Sequence, residues 1–443
     1  MKRILMIAHN FPPCGGGGVR RVLNFVKFLP QYGWVPIVLT VKEGIYLNYD
    51  RDLLSEVAND VEIYRAGSLE KMVLKMEGNT YKRNKDSNVI LGLKNSMIRK
   101  MKDLLGAPDK AILWAPFAVL EGIKVISRRN PDVIYSTAPP FSDHLVGLIL
   151  KKITGRPLIV DFRDAWVADP IHYWGSPSRR RIETDMEKRV VRYADRVIAV
   201  TEGVREDFQR RYSTENPSKF VFLPNGYNKD DFADIKPKTK LDGKLRIVHT
   251  GILNSNRTPK YFLGALRLLL NEYPEMGNHL EVLFIGQNRP FDDGKTIHEY
   301  IKQWNLTKVV KTLNFLSRRE VLEYQLSADI LLLIIGIVSH NLAETYGLAG
   351  KTFEYVMAKK PIFALADPKG PVGRFIRSTK TGIVIDPENV SAIKENLSRW
   401  IKLARTDMLT CPDKKMLEEY DLETITRKLA QLFDETVKKH RHE

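Results

Sequence analysis

The sequence predicts an α/β protein of two doubly wound, Rossmann-like domains, each built on a parallel sheet. Three observations predict it: two similar strand–helix–strand openings, a series of strand-sized apolar runs, and a length of 443 residues, enough for more than one domain. Residues 3–8 (RILMIA) are, after Arg3, a continuous apolar run, as expected of a strand buried on both faces. A glycine-rich turn follows, then Val22, Leu23, Val26 and Leu29 at helical spacing, then a second strand over 36–40. Such a unit implies parallel strands joined by a right-handed crossover. Residues 245–251 (LRIVHTG) open a second unit of the same kind, with a helix through Tyr261, Leu263, Leu266 and Leu269 and a strand over 280–286. Further strands are expected at 133–136, 158–161, 196–200, 330–335, 361–364 and 382–385. The polar stretch 232–243, closing on Gly243, reads as the linker. The first domain is then 1–231 and the second 244–415, with ligands expected in the cleft between them.

Composition narrows the function. Hydrophobic residues make up 43% and charged residues 28%, ordinary for a globular chain. A net charge of +17 favours anionic partners, whether nucleic acid, phosphorylated metabolites or acidic lipid. With only Cys14 and Cys411, far apart, no disulfide framework or cysteine metal site is expected, and a reducing compartment is the default. The longest apolar stretch, 330–338, is strand-sized, and the apolar run near the N-terminus is too short for a signal peptide, so a cytoplasmic protein is expected. One segment breaks the α/β rhythm. Residues 71–102, within an insertion spanning about 70–105, carry nine Lys/Arg against Glu77 and Asp86, interleaved with apolar positions. This basic amphipathic stretch is either a solvated helical insertion or a surface that lies on anionic head groups. The charge is spread along the chain and no nucleic-acid-binding motif accompanies it, so no nucleic-acid partner is expected.

Three motifs carry chemistry. At 10–21 (NFPPCGGGGVRR) four glycines sit where the first strand meets the first helix, so backbone N–H groups can approach an anion, with Arg20 and Arg21 beside them. A dinucleotide fingerprint would need glycine at the position of Arg21, so this reads as a phosphate cradle rather than a nicotinamide site. At 158–166 (LIVDFRDAW) Asp161, Arg163 and Asp164 fall at a strand's C-terminal end, where they either close the turn as a local salt bridge or hold phosphate and sugar hydroxyls. At 341–361 Gly347 and Gly350 precede a helix beginning near Lys351, a second backbone anion site. Lys351 is placed to neutralise a diphosphate, and Glu354, one turn on, to accept hydrogen bonds from vicinal hydroxyls. Ser317 and Glu320 form a capping-box pattern.

Taken together, PPCGGGGVRRVLNFVKFLPQYGW, DFRDAW, AVTEGV, FLPNGY, HTGILNSNR, LFIG, SADILLLI and GKTFEYVMAKKPIFAL resemble, in order and spacing, the retaining glycosyltransferases of family 4, which have the GT-B fold of two facing Rossmann-like domains. The resemblance implies a metal-independent enzyme without a cofactor that moves a sugar from a nucleotide-sugar donor, UDP- or GDP-linked, to an acceptor hydroxyl. Bacterial surface or exopolysaccharide assembly is the setting it implies, with a lipid-linked or glycan acceptor and a peripheral position on the inner face of the membrane. It implies that 416–443 forms a helix returning to the first domain, and that Glu354 holds the ribose while Gly350 and Lys351 lie at the diphosphate. Arg257 would neutralise the departing diphosphate, Gly251 and Gly286 would line the donor with Phe315 and Leu316, and Gly17 and Gly18 would face it from the opposite wall. Arg20, Arg21 and Asp161 fall on the acceptor side.

Two departures stand out. The family's usual first Glu would fall at Tyr346, although Glu344 keeps the Glu-x-x-Gly-Leu spacing. Many members carry a His where this chain has Phe162-Arg163-Asp164, so Arg163 or Asp164 would stand near the transferring sugar, with His144 a neighbouring candidate. The alternatives are a nucleotide-sugar epimerase or phosphorylase of the same fold and a non-enzymatic basic binding protein.

Overall fold

In a computed structural model the described residues are 1–42, 44, 49–73, 106–168, 176–240, 243–335, 348, 350–404 and 414–442. They form two compact units, Met1–Pro224 with Leu422–Glu443, and Asn225–Asp421. The basic segment 74–105 lies outside the described residues, as do Glu344, Tyr346 and Gly347.

The first unit contains a parallel sheet of β1 (Lys2–Ile7), β2 (Trp34–Val41), β3 (Glu62–Ala66), β4 (Val133–Ala138), β5 (Leu158–Phe162), β6 (Arg196–Ala199) and β7 (Phe220–Phe222). Their order is β3-β2-β1-β4-β5-β6-β7, so the chain reverses its direction of travel between β1 and β4. Helix α1 (Gly17–Phe28) buries Val22, Phe25 and Val26 on one face of this sheet. It gives way at Leu29-Pro30 to a short 3-10 turn closed by Gly33 in the left-handed region, φ 81°. The C-terminal helix Leu422–His440 packs against α1 in the same core, with Phe433 edge-on to Trp34 and Tyr135. Helices α2 (Ala115–Arg129), α3 (Ser142–Thr154) and α4 (Pro177–Tyr193) pack side by side on the opposite face, as right-handed crossovers to β4, β5 and β6 require.

The second unit repeats the plan. Strands β8 (Leu245–Thr250), β9 (Leu280–Ile285), β10 (Val310–Leu313), β11 (Ile330–Ile334), β12 (Ile362–Leu365) and β13 (Gly382–Ile385) are all parallel, in the order β10-β9-β8-β11-β12-β13. Helix α5 (Lys260–Glu272) buries Phe262, Leu266 and Leu269 against one face of the sheet, in a core with Trp400. Helices α6 (Arg318–Ser327) and α7 (Gly350–Met357) build the core on the other face through Leu322, Phe353 and Val356. The capping box expected at Ser317 and Glu320 starts α6. Both units thus have the doubly wound, Rossmann-like plan that the sequence predicts.

The boundaries differ from the reading of the sequence in two places. The chain enters the second unit at Asn225, and residues 232–240 are strapped onto it: Phe232 is buried, Lys238 N donates to Glu323 O, and Arg246 donates to the carbonyls of Lys238 and Thr239. The final helix, expected from residue 416, is broken at Tyr420-Asp421, because Tyr227 N donates to Tyr420 O and the Tyr227 hydroxyl to Leu417 O. Among the described residues, no helix is long and apolar enough to cross a membrane.

Candidate functional site

In the second unit, the predicted donor-side residues converge at the C-terminal ends of β8 and β9, beside the point where strand order reverses. Gly251 and Gly286 follow those strands with φ of +123° and +131°. A Cβ on Gly286 would lie 2.4 Å from the Gly251 carbonyl oxygen, so glycine there lets the two turns press together. Helix α7 starts at Gly350, and the Lys351 ammonium reaches back to donate to Thr250 O at 3.0 Å. Burial, then the charge of Arg257, pushes the Lys351 amine down to about 7. Arg257 ends the short turn Ser255–Arg257, held by Asn254, whose side chain accepts from Arg257 N at 3.0 Å.

One turn into α7, Glu354 accepts from Arg318 at 2.6 Å and from Gln325 Nε2 at 3.4 Å. Arg318 also binds Asp231 at 3.1 Å. Gln325 bridges to Thr250 Oγ1 at 3.1 Å, and the Tyr355 hydroxyl accepts from Thr250 N at 2.8 Å, so α6 and α7 are pinned to the end of β8. Among the described residues of this site, four buried polar atoms lack protein partners: His249 Nε2, Arg318 Nε, Gln325 Oε1 and Thr352 Oγ1. Burial, reinforced by Lys351, drives the His249 imidazole well below its usual value and keeps it neutral. Leu316 is half-buried against the core, while its neighbour Phe315 is 80% exposed. Two cationic side chains beside tight turns and a helix start suit a polyanion. A carboxylate one turn away suits hydroxyl groups.

In the first unit, α1 begins at Gly17 with no side chain capping its first turn. Arg163, following β5, donates to Gly18 O at 3.0 Å and to Pro139 O. A Cβ on Gly18 would stand 2.9 Å from the Arg163 guanidinium carbon, so a side chain there would push the guanidinium aside. The Arg163 cation and the α1 start therefore share the C-terminal edge of the sheet, with Asp164 exposed beside them. Arg20 is half-buried and lies 3.7 Å from Glu56.

Arg21 and Asp161 do not reach a surface. They form a fully buried bidentate pair at 2.9 and 3.2 Å, with Tyr135 and Thr137 also donating to Asp161 and Arg21 donating to Pro224 O and Leu223 O. Burial favours the neutral acid, but the Arg21 charge and these hydrogen bonds outweigh it and hold the carboxyl below its usual range. Arg21 and Asp161 thus spend their charge inside the unit, so an acceptor-facing role for either has no surface to act through. His144 is likewise buried, bonded through Nδ1 to Ser136 Oγ at 2.8 Å, and burial pushes it down to about 3.

The structure also assembles polar groups that the sequence reading did not single out. His9, just past β1, contacts Glu70 at 2.8 Å through Nε2 and Asn10 through Nδ1, while its backbone N–H donates to Asp143. Burial pushes the Asp143 carboxyl up to about 8. Asp109 caps the approach to α3 by accepting from the N–H groups of Phe141 and Ser142. A polar pair directly after the apolar run 4–8 was the available signal for His9 and Asn10. Glu70 and Asp143 carry no local signal, because the topology alone brings them there. In the second unit the signal for Gln325 and Tyr355 was a polar group on a helical face that is otherwise apolar.

Two family models match the chain: a glycosyl transferase 4-like domain over residues 102–226 and glycosyl transferases group 1 over residues 231–412. Between them they span more than two thirds of the sequence. No curated protein sequence matches significantly. Among solved structures, sucrose-phosphate synthase from Thermosynechococcus elongatus is 14% identical with a TM-score of 0.64, over 98% of this chain and 99% of that one. HepE from Anabaena, solved in complex with UDP, is 16% identical with a TM-score of 0.62, over 98% and 100%. A UDP-N-acetylglucosamine 2-epimerase, so described provisionally, from Listeria monocytogenes is 11% identical with a TM-score of 0.54, over 97% and 95%.

Proposed function

The chain belongs to the GT4-type glycosyltransferases of GT-B fold, and on that premise we propose that it transfers a sugar, with retention, from a nucleotide-sugar donor to an acceptor hydroxyl. The observation that carries this reading is the grouping of Lys351, Gly251, Gly286 and Glu354 at one strand-end edge. In it, Lys351, Arg257 and the backbone N–H groups at the start of α7 meet the diphosphate. As the bond between the sugar's anomeric carbon and the diphosphate oxygen breaks, they stabilise the charge left on that oxygen. Glu354, already aligned by Arg318 and Gln325, takes the ribose hydroxyls. Arg163 and the first turn of α1 supply the cation and N–H groups of the acceptor-side domain. These protein cations replace a metal in the account, and no resident cofactor is required. Glu344, Gly347 and Asp164 complete the proposed donor and transfer set.

HepE, which has the same fold, was solved with UDP and with UDP-glucose, which makes a UDP-sugar the first donor to test, ahead of a GDP-sugar. The proposed acceptor is lipid-linked or glycan, in surface or exopolysaccharide assembly, reached by a cytoplasmic protein bound peripherally to the membrane. The test is thermal unfolding with UDP, GDP, ADP, CMP and TDP, then NAD and NADP. A ligand at a hundred times its dissociation constant stabilises the native state by ~2.7 kcal/mol. Stabilisation by one nucleoside diphosphate, lost in Lys351→Ala, is expected. A response to NAD or NADP alone would overturn the reading, and loss of the donor sugar's configuration without any acceptor would favour the epimerase.

A further inference from the structure

The face of the first sheet covered by α2, α3 and α4 carries a surface feature that the transfer chemistry does not use. Six large apolar side chains point outward from it: Phe117 and Leu120 on α2, Ile149 and Ile153 on α3, Ile182 and Tyr193 on α4. They are well exposed, Leu120 at 61%, Ile153 at 56% and Tyr193 at 49%. They also recur at helical spacing on the stripe of each helix turned away from the sheet, and three helices packed side by side bring those stripes into one layer. Exposed cations stand among them: Lys124, Arg128, Lys152, Lys188, Arg189 and Arg192.

The acids of these helices do not cancel that charge. Glu183 and Glu187 are fully buried and bonded to Arg179 and Arg211. Asp143 is buried at the start of α3. Only Asp185 and Glu121 face outward, and each is matched by one cation, Arg189 at 2.8 Å and Lys124 at 3.1 Å. Lys152 rides over the Tyr193 ring at 4.2 Å, and the two line a depression of ≈ 370 Å³ with Lys188, Arg189, Arg192 and one acid, Asp185; four cations against one carboxylate leave it cationic, and it is ample for a phosphate head group.

We propose that the α2–α3–α4 face docks on an anionic lipid bilayer, the apolar side chains entering the interface while the cations meet lipid phosphates. The proposal rests on the membrane-borne acceptor of the reading above and deepens it by naming the surface. Single apolar side chains separated by cations suit a head-group layer, whereas a protein partner would be met by a contiguous apolar centre with a polar rim. The helices lie along the side of the sheet, so docking leaves the C-terminal strand edge that holds Gly18 and Arg163 uncovered.

The test is co-sedimentation of the full chain with phosphatidylcholine vesicles, with and without phosphatidylglycerol. The protein is expected to bind the anionic vesicles about tenfold or more strongly. Leu120→Ser with Ile149→Ser and Ile153→Ser, and separately Lys188→Glu with Arg189→Glu and Arg192→Glu, should each lose about tenfold in that binding with far-UV circular dichroism unchanged. Lys82→Ser with Arg83→Ser and Lys85→Ser, in the basic segment outside the described residues, should bind as the parent does. Absence of binding by the parent overturns the proposal, as does loss confined to the Lys82 set. A fall in oligomer size on light scattering in the face variants, with vesicle binding intact, would assign the face to a second copy of the chain and also overturn it. Nucleotide binding, measured without vesicles with UDP, GDP, ADP, CMP and TDP, separates the two ideas: its absence throughout in a parent that still binds vesicles would sink the transfer reading alone.

Discussion

The environment of Lys351 makes donor affinity depend on pH around neutrality, where an ordinary lysine would confer no dependence. An exposed lysine stays charged through neutrality, whereas burial and Arg257 bring this one down to about 7. With that value, roughly nine in ten molecules carry the Lys351 charge at pH 6 and about one in ten at pH 8. A diphosphate binds the charged form, so above neutrality binding must first take up a proton. The sign follows: affinity is full below about 7 and falls as pH rises, by about tenfold between pH 6 and pH 8. UDP-glucose is the probe of choice, because free UDP titrates its own terminal phosphate in this range. Isothermal titration in two buffers of different ionisation enthalpy should show proton uptake at pH 8. Lys351→Arg, charged throughout, should flatten the profile. An affinity that is flat or rising from pH 6 to pH 8 in the parent would refute the reasoning.

Three further outcomes are expected. Asp161→Ala strands the Arg21 guanidinium and should cost about 3–5 kcal/mol in urea unfolding followed by a probe of the first unit. Because the Asp161 carboxyl is held below its ordinary value of 3.8, its contribution is full above that pH and is lost as pH falls through the lowered value, so variant and parent should converge in acid. Gly286→Ala should destabilise the second unit by at least about 1–3 kcal/mol from its left-handed backbone alone, with the contact to Gly251 O adding to it, as the urea midpoint will show. Glu354→Ala should raise the donor KM by about tenfold or more with kcat little changed, the signature of binding shared by ground and transition states. A large fall in kcat at constant KM would place Glu354 elsewhere in the reaction.

The interior of each sheet was readable because its strands are buried on both faces and appear as unbroken apolar runs, as in Ile4–Ile7 and Ile330–Ile334. The strands that were not anticipated, β3 (EIYRA), β7 (FVF) and β10 (VKTL), are short edge strands with half-exposed or charged positions, so neither length nor periodicity distinguishes them from loops. The same distinction holds for the site. Lys351 and Glu354 were legible from their place at a helix start after glycines, and Gly251 and Gly286 from their place after strands. Arg21 was misleading for the same reason. It follows the glycine-rich turn, yet its helical phase carries it to the sheet side of α1, where Asp161, 140 residues away, meets it. A partner at that separation is set by strand order, which no local pattern encodes.

The most direct test of the account is to follow a UDP-sugar by proton NMR with the purified protein and a glycan or lipid-linked acceptor. The account predicts a new anomeric signal of the same configuration as the donor's, with UDP released in equal amount and both lost in Lys351→Ala. A product of inverted configuration would contradict retention. Conversion of the donor sugar with no acceptor consumed would contradict transfer itself.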